Sequence, residues 1–380
     1  MATSPHRRYW AFAYLLAAAV WLTQLHRLYQ PSPDDAALLA HGQAEALADA
    51  EVRAADSAHV RRVNPEWDLM RRMYLALSFA DLALSDVAHR DAHIATLDLV
   101  VDDLLAATRD DDPYRFLLPY ALTAPWLGGG RSLFLDGEVA LVLAARLLVA
   151  PRKDLEAPLH RRIAAIVRAM EASPSLSGES YPDEAWTFCN TTALAALRLD
   201  DARTGGDHHD LAQRWIAHAK AHLVDARTGL LISRYRYDGT VLEGPEGSSV
   251  FMAAHNLILW DRPFAEAQYA QARRLLTFEV LGFGLAREWP LGGSADVDSG
   301  PVIPLLGASP GASGMALLGA RAFGDVASAR ALERSLRFTG APERSADSES
   351  FRAAGPMGNA VVLHAVTQGP LWALAAGRAR

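Results

Sequence analysis

The sequence predicts an all-α protein whose helical hairpins close into a toroid. About ten segments of roughly 10–20 residues carry apolar side chains at helical steps of three and four. Loops rich in glycine and proline separate these segments, at spacings too irregular for a solenoid. Strand signals are short and few, at Leu230–Tyr237 and Ala360–His364. The 380 residues are 51% apolar, which is enough to bury a large core.

The first predicted element is a membrane-seeking helix within residues 1–29. Arg7 and Arg8 precede an uncharged run, 9–25, whose strictly apolar part spans only 10–22. Basic residues before a short apolar stretch are typical of an export signal, and the absence of a small-x-small cleavage site favours an uncleaved anchor over a cleaved signal peptide. Either form predicts membrane association and a periplasmic or extracytoplasmic body. The alternative is an apolar helix that packs on a cytoplasmic body.

Residues 30–60 are predicted to form a linker and a first amphipathic helix. Pro31 and Pro33 interrupt the chain, and Asp34 and Asp35 then favour a helix start. One domain follows over residues 61–380. Its predicted helices have apolar faces within Trp67–Asp81 and Ile94–Leu105, and continue at Leu135–Ala150, Leu159–Glu171, Thr191–Leu199, Asp210–Val224, Ser249–Leu259, Pro263–Leu281, Gly311–Phe323 and Val326–Phe338.

Composition excludes several classes of protein. The net charge is −7 and no basic stripe occurs, so nucleic acid is not a predicted partner. Cys189 is the only cysteine, which excludes an intramolecular disulfide framework and a cysteine-based zinc cluster. Gly128–Gly130 lacks the Lys-Ser/Thr pair of a phosphate-binding loop, and no Gly-x-Ser-x-Gly hydrolase motif occurs. No cofactor and no metal are predicted.

The tract Ser180–Asn190 concentrates reactive side chains just before a predicted helix. It contains Cys189, the adjacent carboxylates Asp183 and Glu184, and Trp186. A thiol beside acids and aromatic rings indicates an apolar pocket that handles protons. The alternatives are a cysteine that is only a small buried hydrophobe, and acids that only complement a helix N-terminus. We predict that Asp183, Glu184 and Trp186 line a substrate pocket.

Two further loops carry candidate pocket residues. Glu246 lies in a Gly/Pro-rich turn that is rigid enough to hold a carboxylate in place. Trp289, which follows Glu288, is a candidate pocket wall. Asp296 and Asp298 would face one way in an extended segment. They bind a metal or a polyol there, or they brace the loop by accepting backbone N–H bonds; Asp298 is assigned to the pocket.

Five separated motifs resemble those of a known family. They are Asn64-Pro-Glu-Trp-Asp-Leu-Met70, Ser180 to Asn190, Asp238-Gly239 with Glu243-Gly-Pro-Glu-Gly-Ser248, Leu281-Gly-Phe-Gly-Leu-Ala-Arg-Glu-Trp-Pro290, and Ser294-Ala-Asp-Val-Asp-Ser-Gly-Pro301. In this order, over roughly residues 60–325, the chain resembles the linalool dehydratase/isomerase family. The resemblance implies an (α/α)6 barrel with an apolar central cavity, a cofactor-free enzyme, and a homo-oligomer whose subunits can contribute to one another's sites.

The resemblance also implies a reaction. The family enzyme interconverts a tertiary allylic alcohol with a diene and with the isomeric primary alcohol, so the expected substrate is a small apolar, terpenoid or allylic alcohol or alkene. Dehydration needs an acid to protonate the leaving hydroxyl and a base to take a proton from an adjacent methyl. The expected function is therefore acid/base dehydration, hydration or isomerisation, as a hydro-lyase or isomerase.

The family's polar residues transfer to five positions. Asp68 and Tyr74 match an Asp and a Tyr six residues apart, which lie about 120° from each other on one helix. Cys189 matches the second of two family cysteines, Ser180 stands in place of the first, and Glu138 stands in place of a histidine. A serine hydroxyl does not ionise near neutral pH, whereas a buried glutamic acid can hold a raised pKa and donate a proton. These five residues form the predicted catalytic set.

Two other functions remain open at this stage. One is a carbohydrate-active hydrolase or lyase on the same toroid, and the other is a non-catalytic, membrane-anchored binding protein. The first would use the carboxylates of Glu246, Glu288, Asp296 and Asp298, with Trp126, Trp186 and Trp289 as sugar platforms. A closed apolar chamber near Cys189 favours the terpene-type reaction, whereas an open groove with two facing carboxyl groups favours a sugar.

Overall fold

The computed structural model describes residues 5–32, 34–108, 113–290, 300–303 and 306–377. The α-helices are α1 (Pro5–Gln24), α2 (Asp35–Ala48), α3 (Ala50–Val63), α4 (Pro65–Ser85), α5 (Arg90–Ala107), α6 (Leu133–Val149), α7 (Glu156–Ala172), α8 (Thr187–Thr204), α9 (His209–His222), α10 (Gly247–Leu257), α11 (Arg262–Leu276), α12 (Pro310–Ala322), α13 (Val326–Thr339), α14 (Gly355–Thr367) and α15 (Pro370–Ala375). The strands are β1 (Ala185–Trp186), β2 (Arg234–Tyr235), β3 (Val241–Glu243), β4 (Thr277–Val280), β5 (Phe283–Ala286), β6 (Pro342–Arg344) and β7 (Glu349–Phe351).

Six helices form a closed inner ring. Contacts run from α4 to α6, α8, α10, α12 and α14 in turn, and α14 packs back against α4. The helices between them in the chain lie outside: α5 packs on α4, α7 on α6, α11 on α10 and α13 on α12, while α2 and α3 cover α14 and α4. The prediction of an all-α protein with a toroidal core of helical hairpins is therefore confirmed.

Connection lengths place the loops of the ring at one end. Each step from an inner to the following outer helix takes only 3–6 residues, whereas each return to the next inner helix takes 14–33 residues. Each inner helix is followed by an outer helix that runs back in the opposite direction. All six inner helices therefore run in the same direction. The long connections therefore gather at the N-terminal end of the inner ring, where irregular backbone can build a site.

Burial explains which helices lie inside. Almost every residue of α6 is buried on all sides, and the same holds for the first eleven residues of α8. Such helices need neighbours all round, which only the centre of a toroid provides. The outer helices α7, α11 and α13 alternate buried apolar residues with exposed charged ones, and so present one face to the inner ring.

The N-terminal region differs from prediction in one respect. Residues 30–60 were expected to hold a linker and one helix, but they form two consecutive helices, α2 and α3, which pack on the barrel. The Asp49 carboxylate accepts the backbone N–H groups of Glu51 and Val52, which ends one helix and caps the next. In α1, the described side chains from Tyr9 to Gln24 are exposed. No helix among the described residues is both long and apolar enough to cross a membrane.

The strand predictions are partly wrong. The segment Ala360–His364 lies in α14, because a helix buried on all sides carries the same continuous apolar run as a buried strand. Of Leu230–Tyr237, the two residues of β2 pair, antiparallel to β1 and β3, and Leu231 forms an isolated bridge with Val224. The helix predicted to reach Leu281 ends at Leu276, and the chain then forms the β4–β5 hairpin with Leu281 at positive φ in its turn.

Candidate active site

The tract that precedes α8 forms a pinned turn at the N-terminal end of the inner ring. The N–H groups of Ser180 and Tyr181 both donate to the carbonyl of Glu184, and Asp183 adopts a positive φ of 56°. The Ser132 hydroxyl, at the start of α6, donates to the Ser180 carbonyl at 2.8 Å. These bonds fix the tract against two neighbouring inner helices.

Glu138 is the most unusual side chain at this end. It lies in the second turn of α6 and is fully buried, and neither of its carboxyl oxygens has a hydrogen-bond partner among the described residues. Burial raises its pKa well above the usual range, and the charge of the nearby Glu66 raises the pKa further. The environment therefore favours an uncharged carboxylic acid that has a proton to give.

Cys189 and Ser180 lie next to this acid. The thiol is buried, and its pKa is raised well above normal by burial and by the charges of Glu138, Glu66 and Glu184. The Ser180 hydroxyl offsets part of that rise through a contact with the thiol, although it has no partner of regular hydrogen-bond geometry among the described residues. We regard the Ser180–Cys189 contact as weak. The lone cysteine remains a neutral thiol here.

Tyr74 completes the group from α4, the inner helix that packs beside α6. Its hydroxyl donates to the Met315 sulfur at 3.5 Å, and the tyrosine is fully buried on α4. Burial raises the pKa of Tyr74, and the charge of Glu138 raises it further. Four of the five predicted catalytic residues, namely Tyr74, Glu138, Ser180 and Cys189, are thus brought together with Glu66. We refer to these five residues as the buried acid cluster.

Glu66 is the member that the sequence prediction missed. It lies in the first turn of α4 and is half-buried, and its carboxylate accepts a 2.5 Å hydrogen bond from the Tyr181 hydroxyl. Its charge acts on Glu138, Cys189 and Tyr181. The signal is present in the motif Asn64-Pro-Glu-Trp-Asp, which holds two carboxylates, but the family resemblance assigns a role to Asp68 alone.

Asp68 has different neighbours. Its carboxylate is fully buried and forms an ion pair with Arg72 one turn later, while Arg61 lies 3.7 Å from its second oxygen. Arg72 also bonds Asp103 at 2.8 Å. Among the described residues, no hydrogen bond or ion pair joins Asp68 to the buried acid cluster. Asp68 and Tyr74 thus meet different partners, as their 120° separation on α4 requires.

The three predicted pocket residues of the tract Ser180–Asn190 make ion pairs and hydrogen bonds with neighbouring side chains and backbone. The Asp183 carboxylate pairs with Arg236 and accepts the backbone N–H of Tyr237 at 3.3 Å. Glu184 is buried and accepts hydrogen bonds from the Trp186 indole at 2.7 Å and the Tyr120 hydroxyl at 3.2 Å. These bonds orient Trp186, which is half-buried, above the start of α8.

The remaining predicted pocket residues belong to neighbouring loops. Glu246 is buried directly before α10, and its backbone N–H donates to the Ser233 hydroxyl at 2.8 Å. The Glu288 carboxylate accepts from both the backbone and the hydroxyl of Ser248, at 3.0 and 2.5 Å. Trp289 is half-buried with its indole N–H unbonded among the described residues. Asp298, like Asp296, lies outside the described residues.

Other possible sites lie elsewhere. Among the described residues, one group could hold a metal ion: His41, Glu45 and Asp347, all exposed, between α2 and the β6–β7 turn. A cleft of about 540 Å³ lies between α11, α13 and the β4–β5 hairpin, and one of about 300 Å³ lies between α2 and β7. No residue of the buried acid cluster lines either cleft.

Comparison with known proteins identifies the family. The family profile described as linalool dehydratase/isomerase matches residues 141–352, more than half of the chain. The protein belongs to the linalool dehydratase/isomerase family. The matched region contains Ser180, Cys189 and Glu246, and it begins three residues after Glu138. Asp68 and Tyr74 lie before it. No curated protein matches the sequence.

Solved structures support the fold of this family member. The α-mannanase of family GH76 from Bacteroides thetaiotaomicron, solved as a selenomethionine derivative, aligns with a TM-score of 0.50 at 12% identity. The alignment covers 78% of this chain and 85% of the mannanase. At this identity the likeness concerns the α/α toroid alone.

Proposed function

We propose that this member of the linalool dehydratase/isomerase family is a cofactor-free acid/base enzyme for a small, largely apolar alcohol or alkene. The observation that carries the proposal is the buried, unpartnered Glu138 carboxyl beside the Cys189 thiol and Tyr74. In a site with little water, an uncharged acid can protonate a poor leaving group without first losing its proton to solvent.

The environments of Glu138 and Glu66 differ in a way that suits an acid and a base, respectively. Glu138 is fully buried and favours its protonated form, whereas Glu66 is half-buried and accepts a hydrogen bond from Tyr181. Two interacting carboxyl groups titrate as a pair, and one proton shared between them suits an acid/base couple. We assign Glu138 as the acid and Glu66 as the base.

The proposed steps conserve atoms and charge. Glu138 gives its proton to the hydroxyl oxygen of a tertiary allylic alcohol, the C–O bond breaks, and water leaves with both bonding electrons. The resulting allylic cation loses a proton from the adjacent methyl to Glu66, which forms the diene. The neutral hydroxyl and thiol groups of Tyr74, Ser180 and Cys189 border the cation and hold the released water. Proton return from Glu66 to Glu138 restores the starting state.

The proposal is tested by incubating the purified protein with tertiary and primary allylic alcohols of five to ten carbons and with the corresponding dienes. Product analysis by gas chromatography should detect the diene or the isomeric alcohol. No conversion of any panel member by correctly folded protein would contradict the proposal.

Variants assign the roles. Glu138→Gln and Glu66→Gln should each lower turnover by about 100-fold or more, because each loses a proton-transfer group. Glu171→Gln, on the exposed face of α7, is the matched control and should retain activity. Full activity in Glu138→Gln would show that another group supplies the proton.

A carbohydrate-active enzyme is the second candidate, supported by the pair of interacting carboxyl groups and by the toroid shared with the GH76 α-mannanase. Burial of Glu138 and Cys189 favours the apolar substrate over a polyhydroxylated one. Incubation with α-mannan and aryl mannosides distinguishes the two. Release of reducing sugar that depends on Glu66 and Glu138 would favour the carbohydrate function.

A further inference from the structure

A second group of buried polar side chains lies toward the other end of the inner ring. His255 on α10 and His364 on α14 are fully buried, with ring centroids 5.6 Å apart and planes at 84°. The Trp372 ring stacks on His255 at 4.6 Å. Trp372 belongs to α15, which contacts α4 and α8 and so closes this end of the barrel. The two histidines form what we term the floor pair.

The floor pair is neutral and unsatisfied. Burial lowers the pKa of His255 to about 4 and that of His364 well below its usual value. A neutral imidazole offers one N–H donor and one nitrogen acceptor. None of the four ring nitrogens has a hydrogen bond of regular geometry among the described residues. Asn256 and Gln368 lie beside His255 and partly offset its pKa shift, but neither is placed for a regular bond.

Tyr74 connects the floor pair to the buried acid cluster. Its ring lies 5.6 Å from that of His364, and the charge of Glu138 acts on its hydroxyl. Glu138 is the sixth residue of α6, and His364 is the tenth of α14. At the helical rise per residue, His364 lies about 6 Å farther from the start of its helix than Glu138 does from the start of α6. Tyr74 lies between the two groups of buried polar side chains.

The unsatisfied ring nitrogens indicate which ligand group the floor pair can bind. A buried donor or acceptor without a partner is destabilising, so four ring nitrogens are an unfavourable floor for a purely hydrocarbon tail. A charged group is disfavoured as well, because the surroundings are apolar and the described neighbours Tyr74, Asn256, Gln368 and Trp372 carry no charge to pair with it. A neutral hydroxyl both donates and accepts, which matches a neutral imidazole pair.

We propose that His364 and His255 bind a second hydroxyl of the substrate, remote from the hydroxyl that leaves, so that the preferred substrate class is a bifunctional, diol-type alcohol. This inference rests on the proposed function for the location of the reacting end. It predicts that a diol binds more tightly than the corresponding mono-alcohol. An apolar floor would give the opposite preference, because the mono-alcohol is easier to desolvate.

Binding, rather than turnover, tests this inference. Two saturated ten-carbon ligands that cannot form an allylic cation are compared by isothermal titration calorimetry with the full chain: a tertiary mono-alcohol, and the same skeleton with an added terminal hydroxyl. The diol should bind at least about 10-fold more tightly, since a site built to bond a hydroxyl rejects an analogue that lacks it. Equal affinity, or tighter binding of the mono-alcohol, would overturn the inference and assign the floor pair to internal water.

Variants locate the selectivity. His364→Phe should abolish the preference for the diol, and His364→Asn should keep part of it, because asparagine also donates and accepts. Leu363→Ala, the adjacent fully buried residue on α14, controls for general destabilisation of that helix and should keep the preference. An unchanged preference in folded His364→Phe would contradict the inference. If that variant does not fold, the wild-type comparison and His364→Asn still decide.

The two proposals fail separately. If the alcohol panel is not converted but the diol binds selectively through His364, the floor pair stands and the assigned reaction is wrong. If allylic alcohols are converted through Glu138 but wild type shows no preference for the diol, the reaction stands and the second subsite is wrong.

Discussion

At the residue scale, the environment and not the residue type gives Glu138 its chemistry. An exposed glutamate is ionised at neutral pH, whereas this one is buried without a partner beside a second carboxylate. The family resemblance places a histidine at this position. A carboxyl with a raised pKa can replace it as a proton donor, provided that Glu138 stays shielded from water.

Asp68 gives the first residue-scale prediction. Its substitution by Asn should destabilise the protein by about 3 kcal/mol, because the buried Arg72 guanidinium loses its closest charged partner. Asp103→Asn removes a more exposed partner of the same arginine and should cost less, about 1 kcal/mol or under. Urea unfolding measures both. A 100-fold loss of turnover in Asp68→Asn with unchanged stability would instead give Asp68 a direct part in the reaction.

Asp81 gives a prediction about pH. Burial raises its pKa to about 8, although the backbone N–H groups of Leu371 and Gly369 oppose the shift. Between pH 4 and 8 the folded state therefore keeps a proton that the unfolded state has lost, so the contribution of Asp81 to stability falls as pH rises. Asp81→Asn removes this titration while keeping an acceptor for Leu371.

The stability of Asp81→Asn relative to wild type should accordingly increase from pH 5 to pH 8. Urea unfolding at several pH values measures the trend. The control is Asp261→Asn, directly before α11. Although burial opposes the shift, the Lys220 ammonium and the Phe264 N–H lower the pKa of Asp261, so the stability difference between this variant and wild type should stay flat from pH 5 to pH 8. A flat difference for Asp81→Asn would show that Asp81 is ionised in the folded protein.

At the scale of elements, the N-termini of the inner helices are fixed by close backbone contacts. Gly247, the first residue of α10, donates its N–H to the Glu288 carbonyl at 2.6 Å. An added Cβ would overlap the backbone carbonyl oxygen of Arg287 and lie 3.0 Å from the Ala312 side chain. This contact joins the loop that carries Glu246 to the loop that carries Glu288.

Gly247→Ala should therefore destabilise the protein by about 1–3 kcal/mol, because a rigid backbone must shift to admit the methyl group. Gly244→Ala, three residues earlier in the same motif, is the matched control. Its Cβ would meet open space, so we expect a change within about 0.5 kcal/mol. Thermal unfolding of the two variants tests the difference. Equal stability would mean that the loops yield to the extra methyl.

At the scale of the whole molecule, the toroid collects chemistry from distant parts of the chain. The Tyr181–Glu66 hydrogen bond joins residues 115 positions apart, and the Tyr74–Met315 contact joins residues 241 positions apart. A parallel inner ring brings five long loops to one end. The GH76 mannanase shares the α/α toroid with this protein at 12% identity.

The N-terminal helix gives a whole-molecule prediction. Tyr9, Trp10 and Trp21 are 73%, 64% and 68% exposed, so their apolar surface is available to a lipid bilayer. We expect the full chain to sediment with phosphatidylcholine/phosphatidylglycerol vesicles, and a form lacking residues 1–24 to stay in solution with an unchanged melting temperature. A full chain carrying Leu15→Asp and Val20→Asp keeps the length of α1 but loses apolar surface. It should bind the vesicles more weakly than the unaltered full chain. Failure of the full chain to bind vesicles would leave α1 to another partner, such as a second subunit.

The sequence predicted the architecture well and the site less completely. Helical periodicity placed the helices from α6 to α13 close to their actual positions, because burial of one face leaves a local signal. It misread α14 in part as a strand, since a fully buried helix has no polar face. Ser180 and Cys189 were found through their motif, whereas Glu66, His255 and His364 were missed because their significance depends on neighbours that are far away in sequence.

The sequence by itself determined the all-α class, the family, and the tract that carries the lone cysteine. These depend on periodicity and on motifs, which are local properties of the chain. Only the tertiary structure decided that Asp68 is held by arginines, that Glu138 lies near Glu66, and that two neutral histidines are buried toward the far end of the ring. The physical reason is that desolvation and charge pairing are properties of the folded surroundings, and these set which groups hold a proton.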